Sequence, residues 1–154
     1  MNLLDASFPK KRISAGGLIR NGSGEILIVK PAYRAGWLLP GGIVEHDESP
    51  MQALYREIQE EVALRVRPQR LLCVDYLSAG PDFSESVHLL FECAPLDEEA
   101  VGAIRIDRVE LIEFRFCSLD EAESLLVPSI AKRLRALSRS ALIPAYLENG
   151  GPLV

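Results

Sequence analysis

Three glutamates, Glu57, Glu60 and Glu61, occupy positions i, i+3 and i+4 of the charged run at residues 56–61. In an α-helix, at about 100° per residue, their side chains project within one arc of roughly 100°. Carboxylates so placed repel one another, whereas a hard divalent cation such as Mg²⁺ or Mn²⁺ prefers oxygen ligands and would turn repulsion into attraction. The run alone is more typical of a solvated acidic stripe than of a metal site.

The residues before this run favour the metal site. Ser49 and Gln52 have the spacing of a capping box, and Pro50 stands at the first helical position. Upstream, Gly41 and Gly42 follow a proline and predict a sharp turn whose backbone can approach a ligand closely, because glycine has no Cβ. A glycine turn that leads into a capped helix with an acidic face is typical of a phosphate and metal site.

Residues 42–64 resemble the Nudix box, the signature of the Nudix hydrolases. The matching positions, all at the required spacing, are Gly42, Glu48, Arg56, Glu57, Ile58, Glu60, Glu61 and Leu64. The one departure is Ala63, where the family usually has glycine. A non-glycine residue in the left-handed conformation costs on the order of 1 kcal/mol. The departure therefore concerns how the helix ends and leaves the carboxylates in place.

The resemblance implies a Mg²⁺- or Mn²⁺-dependent hydrolase that cleaves a diphosphate linkage in a nucleoside diphosphate derivative. It also implies a set of metal ligands: Glu57 (ligand or base), Glu60, Glu61 and the carbonyl of Gly42. By the same resemblance, Arg56 orients the carboxylates and has Glu48 as its ionic partner. Family members often recruit one more carboxylate from a loop, and the sequence does not choose among Glu85, Glu110 and Glu113.

Four residues near the box are candidates for binding substrate: Tyr33, Arg34, Trp37 and Gly41. Aromatic faces can stack on a base, and a guanidinium can pair with phosphate oxygens. A lone tryptophan is more often a core residue, so packing is the favoured interpretation of Trp37. For Arg34, a solvated loop cation and a phosphate contact are equally compatible with the sequence.

The box recognises only the diphosphate and leaves the rest of the substrate open. Pro81 lies past the box, close to a proline associated with ADP-ribose hydrolysis in some family members. Its position slightly favours nucleotide sugars such as ADP-ribose over nucleoside triphosphates. The alternatives from other classes are a non-catalytic nucleotide-sugar sensor and an interaction domain, and the intact carboxylates weigh against both.

Length and composition limit the possible classes of protein. A chain of 154 residues predicts a single domain, residues 1–154, with a basic N-terminal tail at 1–12. The net charge of -5 argues against nucleic acid as the main partner and leaves a small nucleotide as the expected one. No apolar run approaches the roughly 18 residues of a membrane span, and no signal core is present. We therefore expect a cytoplasmic protein, and a homodimer remains possible. The three cysteines, Cys73, Cys93 and Cys117, are expected to be reduced and buried.

The order of predicted elements indicates an αβα sandwich with a mixed sheet between helices, as the resemblance also implies. We expect a hairpin of strands 13–20 and 25–30, a short strand at 37–39 and the box helix at about 50–62. Strands follow at 68–77, 85–93 and 109–117, with a solvated loop at 94–108. A helix begins at Leu119, and a second, at 129–138, is expected to direct Lys132, Arg133 and Arg135 to water. Residues 143–154 are expected to form an extended tail.

Overall fold

The computed structural model describes residues 5–152, so the outermost parts of both predicted tails lie outside the described residues. In chain order the strands are β1 (Arg12–Leu18), β2 (Ile26–Pro31), β3 (Gly41–Ile43), β4 (Pro68–Leu77), β5 (Ser86–Cys93), β6 (Leu111–Cys117), β7 (Ala145–Glu148) and β8 (Gly151–Pro152). The helices are α1 (Pro50–Val62), α2 (Glu98–Ala103), α3 (Leu119–Leu125) and α4 (Pro128–Arg139), and a short 3-10 turn covers Asp5–Ser7.

Six strands form a mixed sheet in the order β3-β1-β5-β4-β7-β8. Strand β1 runs parallel to β5, and β4 runs parallel to β7, while the remaining pairs are antiparallel. The strand that carries Gly41 and Gly42 is at one edge, next to β1. The predicted turn at these glycines is therefore a short edge strand, and residues 37–39 make only isolated bridges.

The two faces of this sheet pack against different helices. Neighbouring residues of β5 point to opposite sides, so Leu90 and Phe91 belong to two separate apolar clusters. Phe91 shares its cluster with Leu54 and Ile58 of α1, whereas Leu90 shares the other with Leu134 of α4. Helices therefore cover both faces, which confirms the predicted αβα sandwich. None of the helices within residues 5–152 is long and apolar enough to cross a membrane.

The predicted hairpin forms at its turn, where Arg20 and Ile26 make an antiparallel bridge and the Leu27 N–H donates to the Ile19 carbonyl, but the two strands then separate. Asn21 accepts backbone hydrogen bonds from Ser23 and Glu25 and fixes the turn. Beyond it β1 joins the six-stranded sheet, while β2 pairs antiparallel with β6 in a second sheet of two strands. The residues 26–29 are all fully buried, as their unbroken apolar character predicts. The three cysteines are buried and free, also as expected.

Helix α1 has the predicted bounds because its signals are local. Ser49 accepts a hydrogen bond from the backbone of Gln52, and the Gln52 side chain accepts one from the backbone of Ser49, which completes the capping box. At the other end Ala63 is left-handed, with φ 58° and ψ 29°, and its N–H donates to the carbonyl of Gln59. Alanine thus adopts the conformation for which the family usually has glycine.

Three other predictions were wrong. The connection at residues 94–108 contains α2, which begins at the cap Asp97. The C-terminal segment is not a loose tail, because β7 pairs with β4 in the middle of the sheet. Arg133 does not face water, because its side chain is 5% exposed and binds the fully buried Asp75.

The conformation of Ala63 predicts that Ala63→Gly stabilises the fold. Glycine relieves the steric cost of positive φ, so the free energy of unfolding should rise by up to about 1 kcal/mol, measured by urea denaturation. Ala136→Gly in the middle of α4 is the matched control. There the same substitution should lower the free energy of unfolding by about 1 kcal/mol. A loss of stability in Ala63→Gly would contradict the steric explanation.

Candidate active site

The carboxylates of α1 lie against the two glycines of β3. The backbone N–H of Gly41 donates to Oε2 of Glu61 at 2.9 Å. A Cβ atom at Gly42 would overlap the carboxyl group of Glu57, and one at Gly41 would overlap the backbone of β1 at Ala15. Gly41 therefore has to be glycine, because its Cβ would meet backbone and its φ is +139°, whereas a side chain at Gly42 would displace the carboxyl group of Glu57.

Arg56 organises the charges around this contact. Its Nε and Nη2 donate to the two carboxylate oxygens of Glu48 at 2.8 and 2.9 Å, which is a bidentate pair. Nη1 donates to Glu57 at 2.8 Å and to Glu60 at 3.3 Å. Nη2 also donates to the carbonyl of Ile43 at 3.1 Å, so the guanidinium ties α1 to β3.

These contacts change the titration of the site. The hydrogen bonds from Arg56, followed by one from the backbone of Glu45, lower the pKa of Glu48 to about 2. The same pairing raises the pKa of Arg56. Burial raises the pKa of Glu61 to about 8, against the opposing effect of the Gly41 N–H, and the neighbouring carboxylates raise it further. The site thus holds more negative charge than its one arginine balances.

The structure distinguishes the three loop carboxylates that the sequence left open. Glu110 lies near enough to Glu61 for its charge to raise the pKa of Glu61. Glu85 instead binds Lys11 and the hydroxyl of Tyr76. Glu113 pairs with Arg115 at 3.1 Å. Among the three, Glu110 is the one that interacts with the box carboxylates.

The donor set of the site suits a hard divalent cation. It offers only oxygen ligands, and the pKa of Glu61 is raised first by burial and then by neighbouring carboxylates, whose repulsion a cation would relieve. Across residues 5–152, no three acidic, histidine or cysteine side chains already converge as a complete set of ligands. Arg56 holds Glu57 and Glu60 instead, and the side chain of Glu60 is 62% exposed. The carboxylates have the chemistry that a divalent cation requires. The exposed side chain of Glu60 has room to turn away from Arg56.

A cavity of about 400 Å³ opens beside the glycines. Tyr33, Arg34 and Gly41, three of the four predicted substrate-binding residues, line it. Partial desolvation raises the pKa of the Tyr33 hydroxyl, and the charge of Glu61 raises it further, so this side of the cavity adjoins the carboxylates. Trp37 is not among the lining residues. It is 6% exposed, packs in the core, and lies under the guanidinium of Arg115.

The opposite end of the cavity contains polar residues that the sequence analysis did not assign to a site. Ser86, His88 and Arg133 line it, and Arg133 binds Asp75. The Nε2 atom of His88 lies 2.9 Å from the hydroxyl of Ser86. The available signal was Asp75, a single acid within the otherwise apolar residues 71–77, which requires a buried cationic partner.

Comparisons with known proteins agree with the sequence motif. A model of the NUDIX domain matches residues 10–139. A MutT-like protein of Streptomyces ambofaciens is 33% identical over 87 residues, which cover 56% of this chain and 54% of the relative. An RNA pyrophosphohydrolase of Psychrobacter cryohalolentis is 38% identical over 63 residues, covering 41% of this chain and 36% of the relative. The chain thus matches about half or less of the length of these relatives.

A solved structure has the same fold. The MutT protein of Methanosarcina mazei superposes with a TM-score of 0.73 at 23% identity, covering 86% of this chain and 97% of that one. At this identity the likeness establishes the fold alone. Because the NUDIX model spans most of the sequence, the chain belongs to the Nudix family, which confirms the resemblance found in residues 42–64.

The pairing of Glu48 with Arg56 predicts a specific dependence of stability on pH. Because the pKa of Glu48 falls from 4.5 to about 2 on folding, its contribution is complete above pH 4.5 and is lost as the pH falls toward 2. Glu48→Gln removes this contribution. Thermal melts should therefore show a gap between wild type and Glu48→Gln that narrows from pH 4.5 downward.

Glu45→Gln is the matched control for this experiment. Glu45 lies 4.0 Å from Arg56 and is exposed, so its replacement should leave the acid limb of the stability curve close to that of wild type. Parallel pH curves for wild type and Glu48→Gln would show that the pair does not contribute to acid stability.

Proposed function

We propose that this chain is a divalent-cation-dependent hydrolase that cleaves the diphosphate linkage of a nucleoside diphosphate derivative by attack of water at phosphorus. The observation that carries the proposal is the approach of Glu57 and Glu61 to the bare backbone of Gly42 and Gly41 beside a cavity. Membership of the Nudix family supports it, as does the name pyrophosphohydrolase given to one relative.

In this proposal the cation ligands are Glu57, Glu60, Glu61 and the carbonyl of Gly42. When bound, Mg²⁺ or Mn²⁺ would neutralise phosphate oxygens and lower the pKa of a bound water. Arg56 holds Glu57 and Glu60 on one side of α1, and Glu48 in turn fixes Arg56. These contacts keep Glu57 and Glu60 close to the glycines, and Glu60 has to turn from Arg56 to join the ligand set.

The remaining roles follow from position. Glu110, whose charge acts on Glu61, is proposed to accept the proton of the attacking water. Arg34 lines the cavity next to the glycines and is proposed to pair with phosphate oxygens. The negative net charge of the chain favours a small nucleotide over RNA as substrate. Nucleotide sugars such as ADP-ribose stay within the proposed class because of the position of Pro81.

A non-catalytic nucleotide-sugar sensor is the second candidate. The observation in its favour is that Arg56 occupies Glu57 and Glu60, so that the carboxylates do not converge as they stand. A sensor would bind nucleotides without cleaving them. The two candidates therefore differ in turnover and need not differ in binding.

The proposed enzyme should release phosphate from at least one member of a defined panel. The panel contains ADP-ribose, nucleotide sugars, dinucleoside polyphosphates and nucleoside triphosphates, incubated with Mg²⁺ or Mn²⁺ and followed by phosphatase-coupled phosphate detection. Glu60→Gln should lower kcat by about 10²-fold or more, because a group that stabilises developing charge is removed. It should also weaken Mn²⁺ binding, which electron paramagnetic resonance reports independently of turnover.

Glu113→Gln is the matched control for Glu60→Gln. Glu113 pairs with Arg115 outside the site, so its replacement should leave kcat and Mn²⁺ binding close to those of wild type. Nucleotide binding by the wild type without hydrolysis of any compound would contradict the enzyme proposal and favour the sensor.

A further inference from the structure

A row of paired residues connects the box to the far end of the cavity. Ile43 of β3 pairs with Ser14 of β1, Ser14 pairs with His88 of β5, and His88 pairs with Asp75 of β4. Paired residues share a face of a sheet, and adjacent strands lie about 4.8 Å apart, so the row spans roughly 14 Å. This span matches an extended nucleotide with its diphosphate at β3 and its base near β4.

Arg133 of α4 stands over the inner end of this row. Its Nε donates to Oδ2 of Asp75 at 2.8 Å, and Oδ1 of Asp75 accepts from the N–H of Gly150 at 3.0 Å. The Nη2 atom of Arg133 is buried and finds no hydrogen-bond partner anywhere in residues 5–152. Arg133 also lines the cavity, so its guanidinium borders any molecule bound there. A buried hydrogen-bond donor without an acceptor costs free energy, so binding of a ligand that supplies the acceptor is favoured.

The charges at this end of the cavity favour a neutral acceptor. Asp75 already balances Arg133, so an anionic group placed there would lack a counterion of its own. His88 adds no charge near neutral pH, because burial, followed by the charge of Arg133, lowers its pKa to about 4. A carbonyl oxygen fits these conditions better than a second phosphate.

The walls of the cavity favour a flat ring as the carrier of that carbonyl. The aromatic ring of Phe83 lines the cavity and is 51% exposed, although an apolar ring of this size is more often buried. An exposed aromatic ring beside a cavity can stack on a base. Apolar lining from Leu77, Leu90 and Ile130 completes a slot for a planar group.

We propose that the inner end of the cavity is a nucleobase subsite in which Arg133, positioned by Asp75, selects bases with a keto oxygen over bases with an amino group. The proposal rests on the proposed function, because it takes the diphosphate to lie at the glycines of β3. A keto oxygen accepts a hydrogen bond from Nη2. An amino group is itself a donor, so it cannot accept from Nη2, and both groups stay without a partner. Arg133 is in this sense a specificity-determining residue.

The test compares binding of two probes that differ in the keto or amino group at C6 and, with it, in the hydrogen carried by N1. Isothermal calorimetry measures the Kd of the α,β-methylene diphosphates of inosine and adenosine, which cannot be cleaved at the diphosphate. We expect the wild type to bind the inosine probe about tenfold or more tightly, the value of one added hydrogen bond to a charged donor. Equal affinities, or tighter binding of the adenosine probe, would overturn the proposal.

A double variant assigns the preference to Arg133. Asp75→Asn with Arg133→Met removes both charges together, which avoids an unpaired buried carboxylate. The ratio of the two Kd values should fall to within about twofold, while the affinity for the adenosine probe stays close to that of wild type. A ratio that remains tenfold in this variant would overturn the assignment, and thermal melting confirms that the variant is folded.

Arg135→Met is the matched control. Arg135 lies on the same helix but pairs with Glu123 at the surface and does not line this cavity, so the variant should keep the wild-type ratio. The wild-type ratio decides the main claim even if the double variant fails to fold. Because these probes report binding without cleavage, a keto preference without any hydrolysis of the earlier panel would support the subsite and refute only the enzyme proposal.

Discussion

The guanidinium of Arg56 is the contact on which the geometry of the site depends. Glutamates one turn apart on α1 repel one another, and the carbonyl of Ile43 at the sheet edge also requires a donor. Arg56 meets both requirements, and its bidentate pair with Glu48 fixes the guanidinium plane. The helix is thereby held against β3 closely enough for Glu61 to accept from the backbone N–H of Gly41.

This contact joins two regions that lie on opposite sides of the sheet. Helix α1 buries its apolar residues on one face, whereas the polar end of the cavity lies on the face covered by α4. Gly41 and Gly42 of the edge strand line the cavity and also contact Glu61 and Glu57, so the carboxylates and the cavity meet at these two glycines. The edge strand β3 has only three residues. These residues hold α1 through Arg56 and Glu61, and they leave the carboxylates next to the cavity.

Local signals in the sequence were sufficient to predict the box and insufficient to predict the polar end of the cavity. A cap, a proline and helical periodicity lie within the 13 residues of α1, so its bounds could be predicted. The partner of β1, the pairing of β7 with β4 and the short helix α2 depend on contacts between distant segments. Arg133 was placed at the surface because arginines usually are. Arg133 is buried because it pairs with Asp75, which lies 58 positions earlier in the sequence. The presence of this acid in an apolar strand was the one sequence feature that indicated a buried cationic partner.

The two ends of the cavity have the same physical character. Glu61 is a partly buried carboxyl among other carboxylates, and Arg133 is a buried guanidinium with a nitrogen that no residue from 5 to 152 satisfies. Neither arrangement is a good source of stability, because buried charge costs desolvation that pairing only partly offsets. A cation at one end and a hydrogen-bond acceptor at the other would each remove the unfavourable part. In the function proposed here, these two sites of electrostatic cost are the two ends of one bound molecule.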